Sequence, residues 1–166
     1  MYDMQGRSDL VINTGPVLAL AAAGHLQTVR ELFAKVTVPY EVVQEIDAGG
    51  RTQFAREEFR AASWFDKRSS SISLPPPLQF TLDPGEAAVV ALATSEGIPT
   101  VAIDETVGRR IARLHGLTVT GSLGILIQAK QQGAAISLRT SIARMRQHGI
   151  WLSAALEKEC LRITGE

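Results

Sequence analysis

Hydrophobic positions along the chain fall into two repeating patterns: short unbroken apolar runs, and longer stretches in which apolar residues recur every three or four positions. Residues 9–13, 35–38, 101–103 and 117–120 are the short runs, and they read as buried strands. A weaker run at residues 79–82 reads as a further short strand. Between them lie helical patterns. Thr14 reads as an N-cap and Pro16 as an early helical position, opening a small-residue helix from Val17 to Ala23 that Gly24 closes. Residues 25–34 place Leu26, Val29, Leu32 and Phe33 on one face. Residues 40–47 turn Val42, Val43 and Ile46 inward and set Glu41 and Glu45 together on another face. Residues 51–65 read as one amphipathic helix or two short ones, and residues 67–77, with four serines and three consecutive prolines, as a connector. Asp83-Pro84-Gly85-Glu86 is a helix start, with a capping acid, a first-turn proline and a glutamate three residues after the cap. Further helices are expected at 86–96, from Val107 onward, at 123–132, after Ser137 and at 152–163. Strands alternating with helices imply a parallel sheet with helices on its faces.

Composition narrows this picture in a few respects. A length of 166 residues is most simply one domain with a sizeable core. The 17 basic and 17 acidic residues cancel, so contact with nucleic acid must come from a local patch. The lone Cys160 forms no internal disulfide and offers no metal-site spacing, which points to a reducing compartment. No apolar run is long enough for a bilayer, and the polar stretch from Met1 to Ser8 has no signal-peptide core, so a cytoplasmic location and no membrane partner are expected.

The candidate chemistry is acidic. Val101-Ala102-Ile103 stops abruptly at Asp104 and Glu105, and a helix with Arg109 and Arg110 in its first turns follows. Ligands of open α/β sheets bind outside the carboxyl ends of the strands. Asn13 and Asp104 sit at two such ends, Glu45 lies on the helix after the second strand, and Glu86 opens the helix feeding the strand of Asp104. Each has an ordinary role when taken singly: Glu86 in a capping box, Glu45 on a solvated face, Asp104 as a cap. Three acids converging without cations would repel one another, and a hard divalent cation is their natural partner. Magnesium, which takes a few carboxylates and keeps waters, suits this set better than zinc, which wants His or Cys. Arg109 or Arg110 either reaches a phosphate or pairs with an acid. Thr120 and Ser122 either contact a phosphate or metal-bound water or serve the turn and the helix after it. His25, His115 and His148 show no ligand spacing. Arg139, Arg144 and Arg146 read as a solvated helix face or a contact for RNA or an acidic partner. Trp64, Phe65 and Trp151 read as core packing or a partner groove.

The ordered set Val11-Ile12-Asn13-Thr14-Gly15-Pro16, Val38 to Ile46, Gly85-Glu86-Ala87-Ala88 and Ile103-Asp104-Glu105 resembles the PIN domain. Gly108-Arg109, Ala112 and the run from His115 to Leu126 resemble a PIN-like branch described as predicted nucleic-acid-binding proteins. The resemblance spans about residues 10–133, with residues 137–163 as additional helices. It implies a three-layer α/β/α sandwich with a central sheet of four to five parallel strands. It also implies a ribonuclease site that holds one or two Mg2+ or Mn2+ ions. The family's acids fall on Asn13, Glu45, Glu86 and Asp104, with Glu105 as an extra acid. RNA as substrate, a small antitoxin as partner and a homodimer are implied in the same way. One position departs: residue 13 is Asn where the family usually has Asp. A neutral amide oxygen still ligates a hard cation, but it removes one charge and any general-base role. Either catalysis is weakened in this chain, or the residue has been exchanged to silence a nuclease. A non-catalytic RNA- or protein-binding regulator on the same scaffold is the alternative. A phosphoryl-accepting receiver domain would want an acidic pair after the first strand, and residues 10–16 offer none.

Overall fold

Strand formation follows the apolar runs closely. In the computed structural model, which describes residue 3 and residues 5–166, β1 (Leu10–Ile12), β2 (Val36–Val38) and β4 (Thr100–Ala102) are buried along their whole length. That is the signature of strands covered on both faces. β5 (Thr118–Thr120) and β3 (Phe65–Lys67) are more exposed, as edge strands are. Among the described residues the five strands form one all-parallel sheet in the order β3-β2-β1-β4-β5.

The order reverses between β1 and β4. Right-handed connections that run outward from β1 through β2 to β3 and then back through β4 to β5 place their helices on opposite faces. The result is a three-layer α/β/α fold. α6 (Pro84–Glu96) packs on β1 and β4, and α7 (Thr106–Leu114) on β5. On the other side, α1 (Thr14–Ala23) packs with α4 (Gln53–Ala61), α8 (Ser122–Gln131) and α9 (Leu138–Gln147). α2 (Gln27–Leu32) and α10 (Ala154–Thr164) pack on α8, and α3 (Tyr40–Asp47) bridges α1 and α6. α5 (Pro76–Thr81) lies against α6.

Several expectations need correction. The fifth strand is Phe65–Lys67, not residues 79–82. Residues 76–81 are helical because prolines occupy the first helical positions, where no N–H is needed, and Leu78 is buried below them. Lys67 holds the adjacent chain by donating to the Phe59 carbonyl at 2.6 Å, so the chain leaves α4 early and pairs with β2. Thr14 is not the cap of α1: Asn13 occupies that position, and Thr14 is the first helical residue. Asp104 does not cap α7; Glu105 stands there, without a side-chain bond. The helix expected at 25–34 is shorter, Gln27–Leu32. Trp64 and Phe65 do pack in or against the core, whereas Trp151 is 83% exposed.

The caps at Asp83, Ser137 and Ser153 accept from Glu86, Thr140 and Leu156 N–H groups, as their residue types predict. The Glu166 carboxylate closes the C-terminal layer. It accepts from the backbone N–H of Leu138 at 2.7 Å and Arg139 at 3.0 Å, from the Ser137 hydroxyl at 3.0 Å, and from Lys130. No described helix is long and apolar enough to cross a membrane. Part of the polar stretch from Met1 to Ser8 lies outside the described residues.

Candidate functional site

The point where the strand order reverses is where an open α/β sheet forms its crevice. β1 and β4 are neighbours there, with Ile12 opposite Ala102, and the Asn13 N–H extends the pairing to the Ala102 carbonyl at 3.0 Å. The Asn13 backbone is extended, so its side chain leaves the sheet at the start of α1. It makes no capping bond there. Asn13 is only 6% exposed, and its Oδ1 has no hydrogen-bond partner among the described residues.

Glycine lets a second element approach that oxygen. A Cβ on Gly85 would lie 3.1 Å from Asn13 Oδ1, 3.1 Å from Glu45 Oε2 and 3.6 Å from Asp83 Oδ1. The first turn of α6 is therefore seated directly against the amide and two acids. Glu45 is exposed but not loose, because its Oε2 accepts the Thr14 hydroxyl at 2.6 Å. Glu86 is 6% exposed, and its Oε1 also lacks a partner among the described residues. That oxygen rests on Gly108 of α7, where a Cβ would come within 2.6 Å. Burial pushes the Glu86 carboxyl up to about 7. The charges of Asp83, Glu105 and Glu45 add to the rise, and the Asp83 backbone N–H opposes it.

Asp104 stands on the other flank. Its Oδ1 accepts the Ser122 N–H at 2.8 Å, so the acid at the end of one strand caps the helix that follows the next. Oδ2 faces the start of α1, 3.9 Å from a Cβ on Gly15. Burial raises the Asp104 pKa, Ser122 and Arg109 pull it down, and Glu105 raises it again. Arg109 pairs with no carboxylate among the described residues. Its Nη1 donates to the Ile103 carbonyl at 2.8 Å and the Thr120 carbonyl at 3.0 Å. Ser122 is buried at the first position of α8. The half-buried Thr120 turns its hydroxyl toward Gly124, where a Cβ would come within 2.8 Å. Glu105 is exposed at the rim.

Asn13, Glu45 and Glu86 thus meet around the start of α6, and Asp104 meets the start of α1. The acids are less gathered than the sequence suggests. Among the described residues no three His, Cys, Asp or Glu side chains stand together as a group able to hold a metal ion. The neutral Asn13 holds the position between them, and like charges keep apart. The donor chemistry nevertheless fits a hard cation. Two buried oxygens have no partner among the described residues: Asn13 Oδ1, which with Glu45 Oε2 borders Gly85, and Glu86 Oε1, which rests on Gly108. Among the described residues no His or Cys joins them: His25 follows the far end of α1, His115 and His148 are exposed elsewhere, and Cys160 is buried in α10.

Sequence reading missed the Thr14 bond to Glu45, signalled only by a hydroxyl directly after the strand-end residue. It also missed the three glycines, Gly85, Gly108 and Gly121, that permit close approach. Two of the three basic residues are held by other elements: Arg144 donates to the Ala23 carbonyl at 3.3 Å, and Arg146 pairs with Glu157 at 2.6 Å, while Arg139 is exposed.

An all-parallel sheet ordered 3-2-1-4-5, with acids and an amide at the carboxyl ends of its two central strands, defines a three-layer domain built around a polar, hard-oxygen site. A family model described as a PIN domain matches residues 9–166, and the chain belongs to the PIN domain family. This family is one of nuclease-type domains, generally dependent on a divalent metal. No curated protein matches the chain.

Proposed function

We propose that this chain is a Mg2+- or Mn2+-dependent endoribonuclease of the PIN class that cuts single-stranded RNA and is weakened by Asn13. The observation that carries this reading is the pair of buried oxygens without partners at the switch point, Asn13 Oδ1 and Glu86 Oε1. A buried acceptor without a partner costs about 1–3 kcal/mol, so two of them, one at the end of β1 and one in the first turn of α6, argue for a ligand rather than for stability. Asn13, Glu45, Glu86 and Asp104 would hold the cation, with Glu105 at the rim. The cation would supply Lewis-acid polarisation of the phosphodiester and an activated water near neutral pH.

The chain's own residues do the rest. Thr14 aims Glu45, and the Ser122 N–H aims Asp104. Asn13 offers an oxygen but takes no proton, so any basic role passes to the acids around it. The small residues of α6, buried from Gly85 to Ala93, keep water from the back of the site. RNA as substrate, a small antitoxin, a homodimer and a cytoplasmic setting belong to the same reading.

The test is a calorimetric titration of Mg2+ and Mn2+ into this chain and into Asn13→Asp, with cleavage of single-stranded RNA followed in parallel. Tighter metal binding and faster cutting by Asn13→Asp support a nuclease weakened at that position. Absence of binding and cutting in both chains refutes it. The neutral residue 13, and the absence of a three-acid group among the described residues, then favour a non-catalytic RNA- or protein-binding regulator.

A further inference from the structure

We infer that Arg109 is a positioning residue for Asp104: it fixes the peptide that carries this acid. The inference rests on the proposed metal site only for its consequence; its geometry stands without metal. Arg109 Nη1 carries two hydrogens, and both are used, toward the Ile103 carbonyl at 2.8 Å and the Thr120 carbonyl at 3.0 Å. The Ile103 carbonyl belongs to the planar peptide whose nitrogen is that of Asp104, so holding the carbonyl fixes the plane from which the Asp104 side chain leaves the backbone. The Thr120 carbonyl also accepts the Ile103 N–H at 3.0 Å. The guanidinium therefore sits over the last rung between β4 and β5, where the two strands part.

Gly121 fits the same device. A Cβ there would lie 2.6 Å from Asp104 Oδ1, 2.8 Å from Arg109 Nη1 and 3.4 Å from the Ile103 carbonyl oxygen. Acid and cation thus close on the α-carbon of Gly121 without forming an ion pair. The next residue, Ser122, donates its N–H to Asp104 Oδ1 at 2.8 Å. With Oδ1 fixed in this way, Oδ2 is left facing Gly15 and the start of α1. Partners that hold a ligand rather than the metal commonly change metal affinity by 10–100-fold when removed.

The experiment compares the native chain with Arg109→Met, Arg109→Lys and Gly121→Ala by 15N NMR in EDTA. It then follows Mn2+ binding by electron paramagnetic resonance, and single-stranded oligouridylate binding in EDTA. In Arg109→Met the Ser122 amide should shift and lose about tenfold or more of its exchange protection, while Val36 to Val38 of β2 keep theirs. Arg109→Lys, which still offers a cationic donor, should restore most of the protection. The Mn2+ dissociation constant should rise about tenfold or more in Arg109→Met, and oligouridylate binding should be unchanged. Gly121→Ala should lose the Ser122 protection with Arg109 still present, as the crowding at that α-carbon requires, and Arg109→Lys decides the role of Arg109 if Arg109→Met does not fold. An unchanged Ser122 amide overturns the inference. So does weaker oligouridylate binding with unchanged Mn2+ affinity, which would make Arg109 a phosphate contact. If the native chain takes up no Mn2+, the nuclease reading fails, and the Ser122 amide still decides the role of Arg109.

Discussion

Replacing Asn13 by Asp returns a charge to a position that is 6% exposed and already crowded by acids. Asn13 Oδ1 and Glu45 Oε2 each lie 3.1 Å from the same point above Gly85, so they are at most about 6 Å apart. Two unit charges at that separation repel by about 3 kcal/mol at an effective dielectric constant of 20, and by less than about 1 kcal/mol in water. Glu45 is exposed, which places the cost between these values, and the buried Glu86 adds to it. A loss of about 1–2 kcal/mol in metal-free protein follows, or about 3–6 °C in melting temperature for a chain of this size. A cation bound by the new carboxylate reverses the loss, because a ligand at a hundred times its dissociation constant adds about 2.7 kcal/mol. Thermal unfolding of both chains at pH 8, in EDTA and in Mn2+, reads this directly. Asn13→Asp should melt lower in EDTA and gain more than the native chain from Mn2+. Equal melting in EDTA and equal gains in Mn2+ would show that residue 13 does not face the acids, and the site as described here would fall.

The remaining expectations concern the acids and their holders. Glu86 titrates at about 7 in the fold against 4.5 for a free side chain, so between those values the native state keeps a proton that the unfolded chain has lost. Stability of the metal-free protein therefore falls as pH rises through that window, by about 2 kcal/mol after allowing for partial solvation. Glu86→Gln should flatten the fall in urea titrations between pH 5 and 8, and an unchanged slope would refute the assignment. Burial would raise the Glu166 carboxyl, but Lys130, the Arg139 and Leu138 N–H groups and the Ser137 hydroxyl bring it down to about 2. Its contribution is complete above about pH 4.5 and is lost as pH falls toward 2. Glu166→Gln should cost about 1–2 kcal/mol at pH 7 and little near pH 2, measured by the same titrations. Thr14→Val keeps the shape but frees Glu45. It should cost about 1 kcal/mol and weaken Mn2+ binding severalfold in calorimetry, and unchanged binding would make the Thr14 bond irrelevant to the site.

How much of this was legible in the chain depends on how far each signal reaches. Asp83, Pro84 and Glu86 announce their helix because capping acts over three residues, and the helix begins where they place it. Ser137 does the same for α9. The buried runs of β1, β2 and β4 are continuous because parallel strands are covered on both faces, so Asn13 and Asp104 could be set at strand ends without coordinates. β3 escaped because an edge strand of Phe65, Asp66 and Lys67 carries no apolar run. Residues 79–82 misled because their short apolar stretch outweighed the prolines that begin α5.

The tertiary structure alone determined which groups the acids meet. The Thr14 hydroxyl finds Glu45 31 residues away, and Asp104 finds the Ser122 N–H 18 residues away. Arg109 turns to the Ile103 and Thr120 carbonyls and not to an acid, because the register of β4 and β5 brings both carbonyls to one nitrogen. Periodicity and caps report on neighbours within about one helical turn, and so they specify elements, their ends and the residues standing there. Bonds across strands depend on register and on glycines thin enough to let elements touch. Both are properties of the packed sheet, and they make a site out of residues that the chain by itself only sets at the right ends.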